Sequence, residues 1–488
     1  MIVDRLRHAA PLLVLALLAG CASVDPYAAS PMAEHLQRTD SVGDCARLFR
    51  TADAKIDAAG VRDASAPRVA GFPYLRVDRF TAALAPEAQR SRAFGPWAEL
   101  MAQLDQQARV AELANLGSDA LPPSPAFDGC RTTLAVADDR PLAPLAAAAV
   151  VPDDYSDWER ALGLYPLTRV AFAAGIAGWQ QRTLATFGTP LNDLPRAGAP
   201  VAYAPPARPQ LTLRLPASAT FALPNFSTTE WAEAIARHAP RIVVDTTSDD
   251  DRIGALAWRA GGDGPRIAAD TAKPTVYVRV AFTRFNGQVL PQLVYTFWFP
   301  ARPAEGSFDV LAGALDGLIW RVTLDRQGAP LVYDSIHPCG CYHLFFPTER
   351  IRARPQPATP DEGLFAPQTV TAPRAGERIE LHLASRTHYL QRVRVVPPVE
   401  DGAAVAYELI DENALRTLPL PAGGSRSAYG PDGLIAGTER AERYFFWPMG
   451  IASAGQMRHW GRHATAFVGR RHFDDADLLD RYFEPAPP

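Results

Sequence analysis

Val276-Tyr277-Val278-Arg279-Val280-Ala281-Phe282, Asn286-Gly287 and Leu293-Val294-Tyr295-Thr296-Phe297-Trp298-Phe299 form the stretch that decides the fold. Val276, Val278, Val280 and Phe282 alternate with Tyr277, Arg279 and Ala281, a period of two that gives a strand one apolar face. Asn-Gly is the dipeptide best suited to a two-residue hairpin turn, because both central residues need positive φ. The stretch therefore predicts a β-hairpin. Leu318–Leu324, a turn at Asp325–Gly328, and Leu331–Ile336 repeat the pattern, so the middle of the chain reads as antiparallel β.

N-terminal to this region the period is 3.6. Gly95-Pro96 opens a run to Gly117 with Trp97, Leu100, Met101, Leu104, Ala108 and Ala111 on one stripe, punctuated by proline near its start and glycine past its end. A second helical stretch covers Tyr155–Phe187 with a break expected at Pro166. Its Trp158, Leu162, Leu164, Val170, Ile176 and Trp179 read as core. The predicted class is α+β: a helical N-terminal half followed by a mainly antiparallel β C-terminal half.

The chain has 488 residues, 48% hydrophobic and 21% charged, with 45 Pro and 34 Gly, which excludes collagen, a coiled coil and a disordered tail. A net charge of −4 supplies no bulk positive field for nucleic acid. Composition shifts divide the chain into residues 41–197, helical; 198–216, a Pro/Ala-rich linker; 217–353, antiparallel β; 354–375, a Pro-rich loop; and 376–488, β-rich with a closing helix at Asp474–Phe483. No internal repeat is present.

Arg5 and Arg7 precede an apolar run from Ala9 to Gly20 that is too short to span a bilayer and has the layout of a secretory signal, residues 1–20. Leu18-Ala19-Gly20-Cys21 resembles the lipobox of bacterial lipoproteins. The resemblance implies lipidation of Cys21 and membrane attachment through the lipid; Ala22 is similar to the outer-membrane sorting pattern. Residues 21–40, containing Ser23, Pro26, Ser30 and Pro31, read as a short tether. The expected location is the outer membrane, facing the periplasm. Cys45, Cys130, Cys339 and Cys341 remain, an even number suited to an oxidising compartment. The simplest pairing joins Cys45 to Cys130 and Cys339 to Cys341.

P-loop, dinucleotide-binding, nucleophile-elbow and zincin motifs are absent from the sequence. Seven of the ten histidines lie at or after His337, so the C-terminal half is the place to look for chemistry. His337-Pro338-Cys339-Gly340-Cys341-Tyr342-His343 sets four metal-type side chains at alternate positions. Extended, they would span about 20 Å, so one metal requires a tight loop, which Pro338 and Gly340 permit. A structural Cys339–Cys341 disulfide, a metal site and a redox dithiol are the three readings of this segment.

His459 and His463, four apart, would share a helical face and could hold a metal together, with zinc the expected ion. Arg458, Arg462, Arg470 and Arg471 offer either an anion site or ion pairs with Asp474, Asp475 and Asp477. Asp334, three residues before His337, is a candidate orienter or base for it. His382 and His388 read as separated by a turn, and Asp249-Asp250-Asp251 as a solvated turn. Tyr295, Trp298, Trp320 and Trp460 are either a binding surface or core. The functional expectation is a tethered module that binds an envelope protein or glycan. The alternative is a zinc-type hydrolase, with Asp334 and His337 catalytic and His337, Cys339, Cys341, His343, His459 and His463 as ligands.

Overall fold

The computed structural model describes residues 25–487 except 118–120, 139–141, 207–210, 212, 214–217, 219, 225, 263, 358 and 399–403. The signal segment and Cys21 lie outside the described residues. Helices dominate up to Gly188 and sheets follow, the α+β arrangement expected.

The principal helices are α1 (Ser41–Ala58), α2 (Phe94–Leu116), α3 (Ser124–Ala137), α4 (Asp157–Leu162) and α5 (Tyr165–Gly188). Asp40 caps α1, its carboxylate accepting from Gly43 N at 3.3 Å. Pro96 lies in the first turn of α2, and Gly117 at φ +97° ends it. Cys45 and Cys130 form a disulfide joining α1 to α3 across 85 residues of sequence. The segment expected as a tether is packed from Asp25 onward: Met32 is fully buried, and the Tyr27 hydroxyl donates to Asp53 at 2.6 Å.

The main sheet has six strands. β1 (Thr275–Phe285) and β2 (Gln288–Arg302) form the expected hairpin, with Asn286 at φ +49° and Gly287 at φ +73°. β3 (Gly313–Leu324) and β4 (Pro330–Ile336) form the second hairpin, and β5 (Leu344–Pro347) completes the antiparallel run. Glu408–Asp411 pairs parallel on the outer side of β1. A five-stranded mixed sheet, containing Arg241–Thr246 and the antiparallel pair β6 (Arg378–Leu383) and β7 (Leu390–Val396), lies beside it.

Both faces of the main sheet are covered. Val276, Val278, Tyr295 and Trp320 join the core shared with the helices, whereas Tyr277 and Trp298 pack under the C-terminal loops. Tyr295, Trp298 and Trp320 are therefore core and not a surface; Trp460 is half-buried against Phe473.

Three element expectations change. The apolar positions Trp158, Leu162, Leu164 and Val170 are more than half exposed, and α4 and α5 break at Gly163-Leu164, two residues before Pro166. The 459–463 segment is not helical, because Gly461 turns the backbone at φ +86°. The closing helix is only Leu478–Tyr482.

Candidate binding cavity

The turn after β4 is the centre of the site. His337 N donates to Cys341 O at 3.0 Å and Gly340 N to His337 O at 2.8 Å, closing the tight loop that the sequence permits. Gly340 has φ +92°, and a Cβ there would lie 2.5 Å from Ala464 O, so close approach of the 464 segment requires glycine. The two histidine-rich segments do meet: His463 Nε2 lies 3.1 Å from Pro338 O, and Arg458 Nε donates to Cys339 O at 3.1 Å.

They meet through backbone carbonyls, and the side chains diverge to separate partners. His337 Nδ1 is 3.1 Å from Asp316 Oδ1, His343 Nε2 is 2.9 Å from Asp334 Oδ2, and His459 Nδ1 is 2.7 Å from Trp460 O. Among the described residues no group of three or more His, Cys, Asp or Glu is arranged around a metal position, so the six expected ligands are not gathered. Burial holds His343 and His463 down to about 3 and His459 to about 4, leaving the three imidazoles neutral.

Asp334 does not orient His337. Residues three apart on a strand face opposite sides, and Asp334 instead forms a two-pronged pair with Arg321, Nε–Oδ1 2.9 Å and the second contact 2.5 Å. The orienter is Asp316, near the start of β3, which sequence reasoning missed. Asp316 also accepts from His388 Nδ1 at 3.0 Å, and Asp251 lies 3.3 Å from His388 Nε2. The 249–251 turn is solvated at Asp249, as expected, but Asp251 at its end is fully buried; its other carboxylate oxygen accepts from Thr247 N at 2.7 Å.

The result is a buried row, Asp251, His388, Asp316 and His337, with the His388 ring stacked on Phe299 at 3.8 Å. Burial opposes charge on His388, but the flanking carboxylates outweigh it and raise its pKa. Burial likewise lowers His337, only partly opposed by Asp316. His382, across the turn from His388, pairs separately with Glu380 at 2.6 Å.

Cys339 and Cys341 are buried free thiols that share a hydrogen bond, so the expected second disulfide is not formed. That hydrogen bond is the main cause lowering the Cys339 thiol, and the same contact raises Cys341. The four arginines considered for an anion site are all engaged. Arg458 serves carbonyls, Arg462 pairs with Asp154 at 2.9 Å, Arg470 with Asp153 and Asp157, and Arg471 donates to Gly363 O at 2.8 Å. Their acidic partners are not the expected Asp474, Asp475 and Asp477.

Between this turn and the overlying α5 lies a cavity of about 460 Å³. Phe172, Ile176 and Trp179 of α5 line it together with Phe365, Ala454 and Phe467, with the Phe172–Phe467 and Trp179–Phe365 rings in contact at 6.3 and 5.4 Å between centroids. Its polar lining includes the Cys339–Cys341 pair, the Tyr342 and Tyr389 hydroxyls hydrogen-bonded at 2.8 Å, the carboxyls of Glu442 and Glu362, Arg182 and Arg471, together with Gln180, His343 and Thr465. Burial pushes the Glu442 carboxyl up to about 7 against the pull of Arg440, Arg302 and Arg458. A second cavity of about 260 Å³, lined by His337 and Ser335, shares Trp179, Arg182, Tyr342 and Tyr389 with the first.

A mainly apolar space of this size with a minority of polar and charged groups in its lining suits a small amphiphilic molecule. Glu442 left no sequence signal; it is placed by the fold alone. Comparison with protein-family models, with curated proteins and with solved structures finds no match, so the reading of the site rests on this geometry.

Proposed function

We propose that the protein is an outer-membrane-anchored lipoprotein of the periplasmic face that binds an amphiphilic envelope component in the cavity beneath α5. The cavity of about 460 Å³, lined by aromatic and aliphatic side chains of α5 and by a minority of polar groups that include Glu442, Arg182 and the tyrosine pair, is the observation that carries the reading. The lipobox resemblance supplies the address, and the Cys45–Cys130 disulfide accords with an oxidising compartment. The apolar lining favours an acyl-bearing ligand over a glycan. The test is titration of the chain from Ala22 onward with the fluorescent fatty acid cis-parinaric acid. Ile176→Trp, which fills the cavity from α5, is expected to weaken binding about tenfold or more with the far-ultraviolet circular dichroism unchanged. Failure of the unsubstituted chain to bind saturably, or equal binding by the variant, rejects the reading.

A second reading, catalytic and metal-free, is favoured by the smaller cavity. Ser335 and His337 stand two apart at the end of one strand, and both line it. The Ser335 Oγ is buried with no hydrogen-bond partner in the chain, and Asp316 fixes His337 through Nδ1. A hydroxyl nucleophile, an imidazole base and its orienting carboxylate are the groups acyl transfer uses. If they act, the chain hydrolyses medium-chain p-nitrophenyl esters, and Ser335→Ala and His337→Gln each lose about a hundredfold or more in kcat. No turnover by the unsubstituted chain, or no loss in the variants, removes this reading and leaves the binding one.

A further inference from the structure

α5 has no Asp or Glu in 24 residues, and its only charges are Arg169 and Arg182. Apolar side chains run around the whole helix, and such a helix ordinarily lies in a core. Here only Phe187 is buried. One side, Phe172, Ile176 and Trp179, lines the cavity; the opposite side exposes Leu167 (71%), Val170 (65%) and Leu184 (49%).

The exposed side continues onto neighbouring elements. Gly163, at the α4–α5 break, stands against Pro448, where an added Cβ would meet the proline Cβ at 2.5 Å. The Phe172 ring meets Phe446 at 5.3 Å. Around these contacts Trp158, Tyr444, Phe445 and Trp447 are exposed. Monomeric proteins rarely leave so many large apolar side chains together in water.

We infer that this face lies on a phospholipid bilayer, with α5 in the plane of the interface between the acyl region outside and the cavity inside. Four features single out lipid. Trp and Tyr, which favour the membrane–water boundary, ring an aliphatic centre. Arg443, adjoining the exposed Tyr444, is positive and complements anionic headgroups, whereas of the α5 charges Arg182 lines the cavities and Arg169 pairs with Asp361. Two nearby acids are paired, Asp157 with Arg470 and Asp361 with Arg169. Finally, α5 lies along the surface with Leu167, Val170 and Leu184 outward, the disposition of a helix in the plane of an interface, and no described helix is long and apolar enough to cross a membrane.

The inference rests on the cavity reading for one part only: the acyl-bearing ligand passes from the bilayer into the cavity beside α5. Lipidated Cys21 would bring the body near a bilayer; the apolar face would fix which side it turns to it.

The test is co-sedimentation of the chain from Ala22 onward, which lacks the lipid anchor, with vesicles of phosphatidylethanolamine and phosphatidylglycerol. The unsubstituted chain is expected to bind, and Leu167→Glu/Val170→Glu to lower the bound fraction about tenfold or more. Neither residue lines the cavity, so cis-parinaric acid binding in solution stays within about twofold. Ile176→Trp shows the reverse profile, keeping vesicle binding and losing the fatty acid. Vesicle binding without any fatty-acid binding ends the cavity reading and its acyl route while upholding the membrane face. Absence of vesicle binding, or its persistence in the double variant, overturns the membrane face. A dimer that the double variant dissociates assigns the face to a second copy and also overturns it.

Discussion

At the scale of single residues, Glu442 is a cavity carboxyl whose titration is moved into the neutral range by its surroundings. Its pKa of about 7 against the ordinary 4.5 means that the folded chain holds the proton more tightly than the unfolded one. A raised folded value adds stability that is complete below about 4.5 and is lost as pH rises through about 7. Between pH 5 and pH 8 the loss is on the order of 2–3 kcal/mol. Urea unfolding across this range is expected to show that decline, and Glu442→Gln to remove it. His388, whose pKa is also raised, contributes a decline of the same sign in both chains, so the difference between chains reports Glu442. Equal slopes would mean an ordinary carboxyl. Of the row Asp251, His388, Asp316 and His337, the sequence marked His337 as chemistry but gave it the wrong carboxylate. The available signal for Asp316 was its position between Leu315 and Gly317-Leu318, since an acid at the mouth of an apolar strand needs a buried partner. Its partner His388 stacks on Phe299, which is opposite Asp316 in the strand register, a pairing visible only once the sheet is formed.

At the scale of elements, legibility follows how local the determining physics is. The β1–β2 hairpin was readable because alternation and Asn286-Gly287 fix period, turn and register within about 25 residues. α2 was readable for the same reason, with apolar stripe and terminal punctuation both local. α5 was readable as a helix but not in its environment: an apolar pattern says that something apolar is adjacent, not whether it is core, cavity or lipid. Parity misled at Asp334, because three positions on a strand point away from each other whereas the same spacing on a helix points together. The 459–463 segment shows the converse. Four-residue spacing of His459 and His463 means one face only if the backbone is helical, and Gly461 makes it a turn that sends one imidazole to Trp460 O and the other to Pro338 O.

At the scale of the whole molecule, the Pro/Ala-rich stretch at 198–216 separates a helical from a β half in sequence, while the core runs through both. Met32 and Trp97 belong to the same buried cluster as Trp320 and Ala476. Polar contacts cross as well: Arg416 pairs with Asp63 at 2.7 Å, and Arg160 Nε donates to Met449 O at 2.8 Å. Within the helical layer Arg76, Asp105, Arg109 and Glu112 form a fully buried ion network, in which loss of any one partner strands a charge. Because this largest buried cluster draws on both halves, unfolding is expected to be one transition, although the β half also has smaller clusters of its own. The Cys45–Cys130 bridge provides the perturbation that tests this, because it lies wholly within the helical half. Cross-linking a loop of 85 residues restricts the unfolded chain, and its removal costs about 2–5 kcal/mol. Cys45→Ala/Cys130→Ala should therefore lower the denaturation midpoint equally whether followed by far-ultraviolet circular dichroism, weighted to the helices, or by hydrogen–deuterium exchange of the β1–β4 amides across the same denaturant series. If the helical signal moves to lower denaturant while the sheet amides hold their midpoint, the halves are independent folding units and the shared core does not couple them.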